Sequence, residues 1–68
     1  MKWHRANRKI RRRSWIAVNA PSREIKDQAA EWCKQTESTG KFYYHYTNTR
    51  WWFEKSDDAI LFTLRWGL

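Results

Sequence analysis

Seven aromatic residues and a histidine fall within the fifteen residues KFYYHYTNTRWWFEK at positions 41–55. Rings at this density form either the core of a small domain or a surface that binds something. A turn at Thr47, Asn48 and Thr49 divides the stretch into two strands, because asparagine tolerates the positive φ of tight turns. We therefore expect an antiparallel hairpin.

The register of this hairpin decides which rings are buried. A register that pairs Tyr44 with Phe53 segregates the side chains, whereas a shift of one residue would mix the two faces. One face then carries aromatic residues alone: Phe42, Tyr44, Tyr46, Trp51 and Phe53. The other face mixes aromatic and polar residues: Tyr43, His45, Trp52 and Glu54. We assign the first face to the core and the second to an open face of the sheet.

The residues before the hairpin predict a strand and then a helix. Residues 14–20, SWIAVNA, are mostly apolar, include two β-branched residues and are followed by Pro21, which is typical of a strand. Ser22 is a favourable cap for the helix that follows. Apolar residues at the i, i+4, i+7 spacing predict an amphipathic helix over residues 23–36.

Residues 56–66 predict a last helix, with Ser56 as its cap and Asp57 and Asp58 in the first turn, where the helix dipole favours acids. This helix is apolar on nearly all sides, and such a helix is normally buried on more than one side. One small sheet cannot cover it. We therefore expect a homo-oligomer, most simply a homodimer, whose interface is formed by Ile60, Leu61, Leu64 and Leu68.

The order of these elements predicts an α+β fold. A right-handed crossover from the first strand to the second, with the third inserted antiparallel between them, gives a two-layer βαββα sandwich. Its sheet order is 1-3-2, both helices lie on one face, and the single domain spans residues 14–68. The core of a chain of 68 residues is thin, and one cysteine, Cys33, permits neither an internal disulfide nor a cysteine zinc site.

Positive charge is concentrated at the start of the chain. Residues 1–22 carry seven basic and no acidic residues, whereas residues 23–68 carry seven of each. Because a block of like charge is usually solvated until it meets an opposite charge, residues 1–13 predict a flexible basic arm. Guanidinium groups pair with phosphates and stack on bases. The candidate phosphate-binding residues are Lys2, Arg5, Arg8, Lys9, Arg11, Arg12, Arg13 and Arg50; the alternative is a solvated tail that only aids solubility.

The open face has the composition of a base-stacking platform. The stacking candidates, including one residue of the arm, are Trp3, Trp15, Tyr43, His45 and Trp52. Exposed rings serve equally as a dimer interface or as cover for the arm, because an apolar patch specifies contact but not its partner. The glycine-containing aromatic signatures of the common RNA-binding modules are absent from the sequence.

Signals for catalysis and for cofactors are weak. Adjacent acids at a helix start are explained by the helix dipole, and Cys33 falls on the apolar stripe of its helix as a small hydrophobe. Two glycines cannot form a glycine-rich phosphate loop. We expect a non-enzymatic protein without cofactor or metal. The lone cysteine and the lack of a signal-like or membrane-spanning stretch predict an intracellular protein with no membrane partner.

The end of the chain, RWWFEKSDDAILFTLRWGL, resembles a recurrent closing motif of small uncharacterised proteins encoded by tailed bacteriophages. In that motif an aromatic strand such as Trp51-Trp52-Phe53 precedes an acidic turn, and Asp58-Ala59, Phe62 and Leu64-Arg65-Trp66 follow. The resemblance covers about the last third of the chain. It implies a shared fold and a phage origin, with action in the host cytoplasm, and transfers no active site.

Two classes of function follow. The first is a small phage-encoded binding protein that engages RNA, DNA or another phosphate-rich ligand, such as a nucleotide, through the arm and the aromatic face. The second is a protein-interaction module that docks through the apolar last helix, as a host-takeover or counter-defence inhibitor or a small virion component. Salt separates them, because phosphate binding weakens steeply with added salt and an apolar interface does not.

Overall fold

Two helices pack on one face of a four-stranded mixed sheet in the computed structural model, which describes residues 1–4, 15–45 and 49–66. The strands are β1 (Lys2–Trp3), β2 (Ile16–Asn19), β3 (Lys41–Tyr44) and β4 (Arg50–Phe53). The helices are α1 (Lys26–Gln35), which follows a 3-10 turn over Arg23–Ile25, and α2 (Ser56–Trp66). The prediction of a small α+β domain is confirmed at this level.

The sheet runs β1-β3-β4-β2, with β4 antiparallel to both neighbours and β1 parallel to β3. The three predicted strands keep their predicted relative order, but the prediction of only three strands is wrong. The fourth, β1, forms from residues that were assigned to the arm. The amides of Lys2 and His4 donate to the carbonyl oxygens of Gly40 and Phe42, at 3.2 and 2.8 Å. The folded domain therefore includes residues 1–4, while arm residues 5–13 lie outside the described residues.

Met1 lies in the core at the end of α1. Its side chain is 7% exposed, and its amino group donates to the carbonyl oxygen of Cys33 at 2.9 Å and to that of Thr36. Carbonyl groups at the carboxyl end of a helix lack partners within the helix and favour positive charge. These two hydrogen bonds connect the start of β1 to the carboxyl end of α1.

The hairpin of β3 and β4 has a register two residues away from the predicted one. Tyr44 pairs with Trp51 rather than with Phe53. A shift of two preserves both faces, because the side-chain period of a strand is two. Four of the five residues of the predicted aromatic face, Phe42, Tyr44, Trp51 and Phe53, therefore lie in or against the core, and Tyr43 and Trp52 lie on the opposite face. Tyr46 and most of the predicted turn, residues 46–48, lie outside the described part of the chain.

Phe62 of α2 is the centre of the aromatic core. It is fully buried, and its ring centroid lies 5.0 Å from those of both Trp51 and Phe53. The ring of Trp32 from α1 lies 6.2 Å away, and that of Trp66 lies 6.4 Å away. Aromatic pairs of this kind contribute about 0.5–1.5 kcal/mol each beyond the burial of area. Phe62 thus joins both helices to the sheet.

The helix starts differ in part from the predicted caps. Ser22 is the N-cap residue of the 3-10 turn before α1 but makes no capping hydrogen bond through its side chain. Ser56 is the first residue of α2 rather than its cap. Asp58, predicted only as a favourable acid, is 3% exposed and accepts a hydrogen bond from Ser38 Oγ at 2.8 Å. The amide of Gly40 donates to the same hydroxyl at 3.1 Å. This cluster fastens α2 to the loop that precedes β3.

Cys33 is fully buried, as the sequence predicted, and burial raises the pKa of its thiol to about 12. Because the thiolate is the reactive form, we expect a thiol reagent to modify Cys33 slowly in the native protein and rapidly in denaturant. The variant Cys33→Ala has no thiol and therefore gives the background signal of the reagent. Rapid modification of the native protein would contradict the core assignment.

The same shift makes stability depend on alkaline pH. The ordinary pKa of 9.0 applies to the unfolded chain, so the unfolded chain loses the proton first and the stability falls as pH rises from about 9 to 12. Burial also raises the pKa of Tyr44, which acts in the same direction at higher pH. We expect Cys33→Ala to reduce, but not abolish, this decline in urea unfolding experiments.

Candidate functional site

The described strands are basic. They contain Lys2, Lys41 and Arg50 and no acidic residue. Lys2 and Lys41 are register partners in adjacent strands, and like charges placed opposite each other destabilise a sheet. An anion bound beside the two ammonium groups would remove this repulsion. The acidic residues of the described chain lie in the helical turns and the loops: Glu24, Asp27, Glu31, Glu37, Glu54, Asp57 and Asp58.

Aromatic rings form a row across the sheet between these basic residues. The ring centroids of Trp3 and Tyr43 are 6.4 Å apart, and those of Tyr43 and Trp52 are 5.5 Å apart. Trp3 is 45% exposed and Tyr43 is half-buried, so both present ring surface to solvent. Trp52 is 7% exposed, and the expectation that it offers a free ring for stacking does not fit this burial. It supports Tyr43 instead.

A second pair of rings, those of His4 and Trp15, lies at the two ends of the basic segment, which we define as residues 5–14. The ring centroids of His4 and Trp15 are 5.5 Å apart, and both side chains are half-buried. Residues 5–14 connect them and carry six basic residues and no acid: Arg5, Arg8, Lys9, Arg11, Arg12 and Arg13. These six lie outside the described residues. Because β1 and β2 are the two edges of one sheet, the basic segment is joined to the domain at both ends.

Arg50 and His45 lie at the hairpin end of the sheet, and both side chains are exposed. Arg50 Nε donates to Asn19 Oδ1 at 3.5 Å, across the pairing of β4 with β2. Lys41 lies at the other end of β3, about 13 Å from the level of Arg50 at 3.3 Å per residue. The sheet thus has cationic residues at both ends with aromatic rings between them.

A separate apolar surface lies on α2. The exposed fractions of Ile60, Leu61 and Leu64, three of the predicted interface residues, are 57%, 45% and 75%. Leu68, the fourth predicted interface residue, lies outside the described residues. Beside them is an open groove of about 270 Å³, lined by Ile16, Val18, Ser56, Ala59, Ile60, Thr63 and Leu64. None of the described residues that line the groove is charged.

Sequence reasoning missed Lys41. Its signal was present, because Lys41 alternates with Tyr43 along β3, but its partner Lys2 was assigned to the arm. In the described parts of the chain, no three residues among His, Cys, Asp and Glu cluster as metal ligands would. Neither α1 nor α2 has the length and apolarity that crossing a membrane requires.

Comparisons of the chain with protein-family models, with curated proteins and with solved structures give no match. The resemblance to phage proteins therefore stays a prediction.

Proposed function

We propose that this protein binds RNA, DNA or another phosphate-rich ligand and does so without catalysis. The observation that carries the proposal is the charge of the sheet. Lys2, Lys41 and Arg50 lie on strands that contain no acid. The most basic segment of the chain, residues 5–14, connects β1 to β2, which are the two edges of the same sheet. Expression from a phage and action in the host cytoplasm belong to the proposal through the resemblance alone.

The proposed binding divides between charge and stacking. Cationic side chains neutralise phosphates and release counterions, so each such contact makes the affinity more sensitive to salt. The exposed ring surfaces of Trp3 and Tyr43 take bases, and stacking of this kind contributes about 1–3 kcal/mol per base. Every base has a π-face, so this binding has little sequence preference. Rings on a sheet reach only unpaired bases, and single strands should therefore bind more tightly than duplexes.

The test replaces the arginines at positions 11, 12 and 13 by glutamine and measures the binding of a fluorescent single-stranded oligonucleotide across a salt series. We expect at least a tenfold loss of affinity and a reduction of the log–log salt slope by about 2–3. Substitution is preferred to deletion because residues 1–4 belong to the sheet.

The matched control removes three charges elsewhere, through Arg23→Gln, Lys26→Gln and Lys34→Gln in the helical layer. We expect the control to change affinity less than threefold. An equal loss in both variants would show that only net charge matters, and unchanged binding by the arginine variant would refute the site.

Stacking is tested in the same assay by Tyr43→Leu. Loss of a stacked base lowers the affinity by the same factor at every salt concentration, because no phosphate contact is removed. The salt slope should therefore stay unchanged. A change in slope alone would show that Tyr43 acts by positioning charge.

The competing function is a protein-interaction module, and the exposed apolar surface of α2 favours it. Ile60 and Leu64 flank a groove whose described lining contains no charged residue. Such a module would act as a host-takeover or counter-defence inhibitor or as a small virion component. Binding of a protein partner that persists at high salt and in the arginine variant would favour this function.

A further inference from the structure

β2 is an edge strand of the sheet in the part of the chain that the structure describes. It pairs with β4 on one side, and no other described strand pairs with its outer side. Edge strands are normally blunted by charged residues, proline, a bulge or a covering element. The four residues of β2, IAVN, contain neither charge nor proline, whereas the opposite edge strand is only two residues long and carries Lys2. The outer side of β2 can therefore accept another strand.

The apolar groove runs beside this same edge. Ile16 and Val18 of β2 form one wall, and Ile60 and Leu64 of α2 form the other. Between them lies Thr63, whose hydroxyl donates to the carbonyl oxygen of Ala59 at 2.9 Å and so needs no further partner. Ser56 and Thr63 are the polar residues of the described lining, and they are too few to orient a small ligand by convergent hydrogen bonds. The groove suits apolar side chains of a protein.

We propose that a second copy of this chain covers this surface. The two β2 strands pair antiparallel about a twofold axis, and the two α2 helices pack against each other across the same axis. A twofold interface uses one patch on both copies, so the patch must complement itself. Here the outer edge of β2 in one copy pairs with the outer edge of β2 in the other. The projecting Ile60 and Leu64 of each copy enter the groove of its partner.

The geometry of the layers allows both contacts together. α2 packs on β2 and β4, so its axis lies above the space between these strands. Strands are about 4.8 Å apart, and the twofold axis would lie half of this distance beyond β2. The two α2 axes are then about 10 Å apart, which agrees with the distance of about 8–10 Å between packed helices. Pairing the strands thus brings the helices to packing distance.

The area that a dimer needs sets how much of the surface must be covered. A stable dimer buries about 800 Å² per partner, about one sixth of the 4982 Å² of this protein. The outer edge of β2, the groove and the exposed flank of α2 would have to supply this area. Each copy carries a net charge of +7, and salt screens the repulsion between copies. Dimerisation should therefore strengthen with salt, whereas binding to phosphates weakens.

The first experiment measures mass by light scattering across a micromolar concentration series for the unmodified chain, Leu64→Lys and Leu61→Lys. Leu64 lines the groove and Leu61 does not, although both are exposed on α2. We expect Leu64→Lys to weaken dimerisation at least tenfold and Leu61→Lys to change it less than threefold. A monomer at every concentration, or the opposite order of the two variants, would overturn the proposal.

The second experiment tests the pairing of the strands. Ala17 is exposed on β2, and a twofold axis through the paired strands places position 17 within about 8 Å of its own copy. Ala17→Cys should react with a short thiol–thiol cross-linker to give a covalent dimer, at a rate at least ten times that of Glu31→Cys on the exposed side of α1. Cys33 does not interfere, because it is buried. Equal rates for the two variants would exclude the β2 pairing.

Discussion

Phe62→Ala should unfold the protein or leave it close to its unfolding midpoint in water. Phe62 is fully buried and its ring contacts rings from both helices and from the sheet. Truncation of a buried phenylalanine costs about 3–5 kcal/mol, while a domain of this length has a net stability of about 3–10 kcal/mol. The loss is therefore comparable with the whole free energy of unfolding. Urea unfolding followed by tryptophan fluorescence measures it.

Two further variants make this result specific. Leu64→Ala truncates an apolar side chain of the same helix that is 75% exposed, so it should change the stability by less than about 0.5 kcal/mol at a concentration where the chain is monomeric. Phe62→Leu keeps an apolar side chain in the site and should cost less than Phe62→Ala. A loss below about 1 kcal/mol for Phe62→Ala would show that Phe62 is not the centre of the core.

The sequence was sufficient to predict the faces of the hairpin, but not its register. Alternation assigns Tyr43 and Trp52 to one side and Trp51 and Phe53 to the other in any register shifted by an even number of residues. The choice between such registers depends on the turn, which the pattern of rings does not determine. This is why Tyr44 opposes Trp51, while the predicted core face is confirmed for its described members, Phe42, Tyr44, Trp51 and Phe53.

β1 could not be predicted from the same kind of pattern. Two residues are too few to show a period of two, and β1 is held by backbone hydrogen bonds from Lys2 and His4 to the loop and strand beside it. The basic residues that follow made the whole stretch resemble a solvated arm. The candidate site changed as a consequence, because Lys2 belongs to a strand that pairs with that of Lys41 and not to a tail.

The burial of Trp52 shows a further limit of predicting from the alternation of side chains along a strand. Alternation predicts that Trp52 lies on the open face, where it does lie, but its exposure on that face depends on its neighbours. Tyr43 stacks beside it from β3, and the small side chain of Ala17 is its register partner in β2. Neighbours of this kind come from separate parts of the chain, so no local pattern shows them. Tyr43 and Trp3 remain the exposed rings of the row.

Gly40→Ala should cost about 2–4 kcal/mol, because it introduces a steric overlap and breaks a hydrogen bond to a buried charge. A Cβ atom on Gly40 would overlap Asp58 Oδ2, which Ser38 Oγ holds at 2.8 Å. Asp58 is 3% exposed, so its carboxylate cannot move aside without losing this partner in a buried place. Urea unfolding of the single variant measures the cost.

The cause is isolated by a double-mutant cycle with Asp58→Ala. That variant removes the carboxylate that a Cβ on Gly40 would meet, so Gly40→Ala should cost less than about 1 kcal/mol in its presence, and the coupling energy should be about 1–3 kcal/mol. Additive costs would contradict the steric argument.

The carbonyl oxygen of Gly40 accepts a hydrogen bond from the amide of Lys2 at 3.2 Å, so displacement of this loop also moves β1. Gly40→Ala should therefore weaken oligonucleotide binding even under conditions in which most of the protein stays folded, because it separates Lys2 from Lys41.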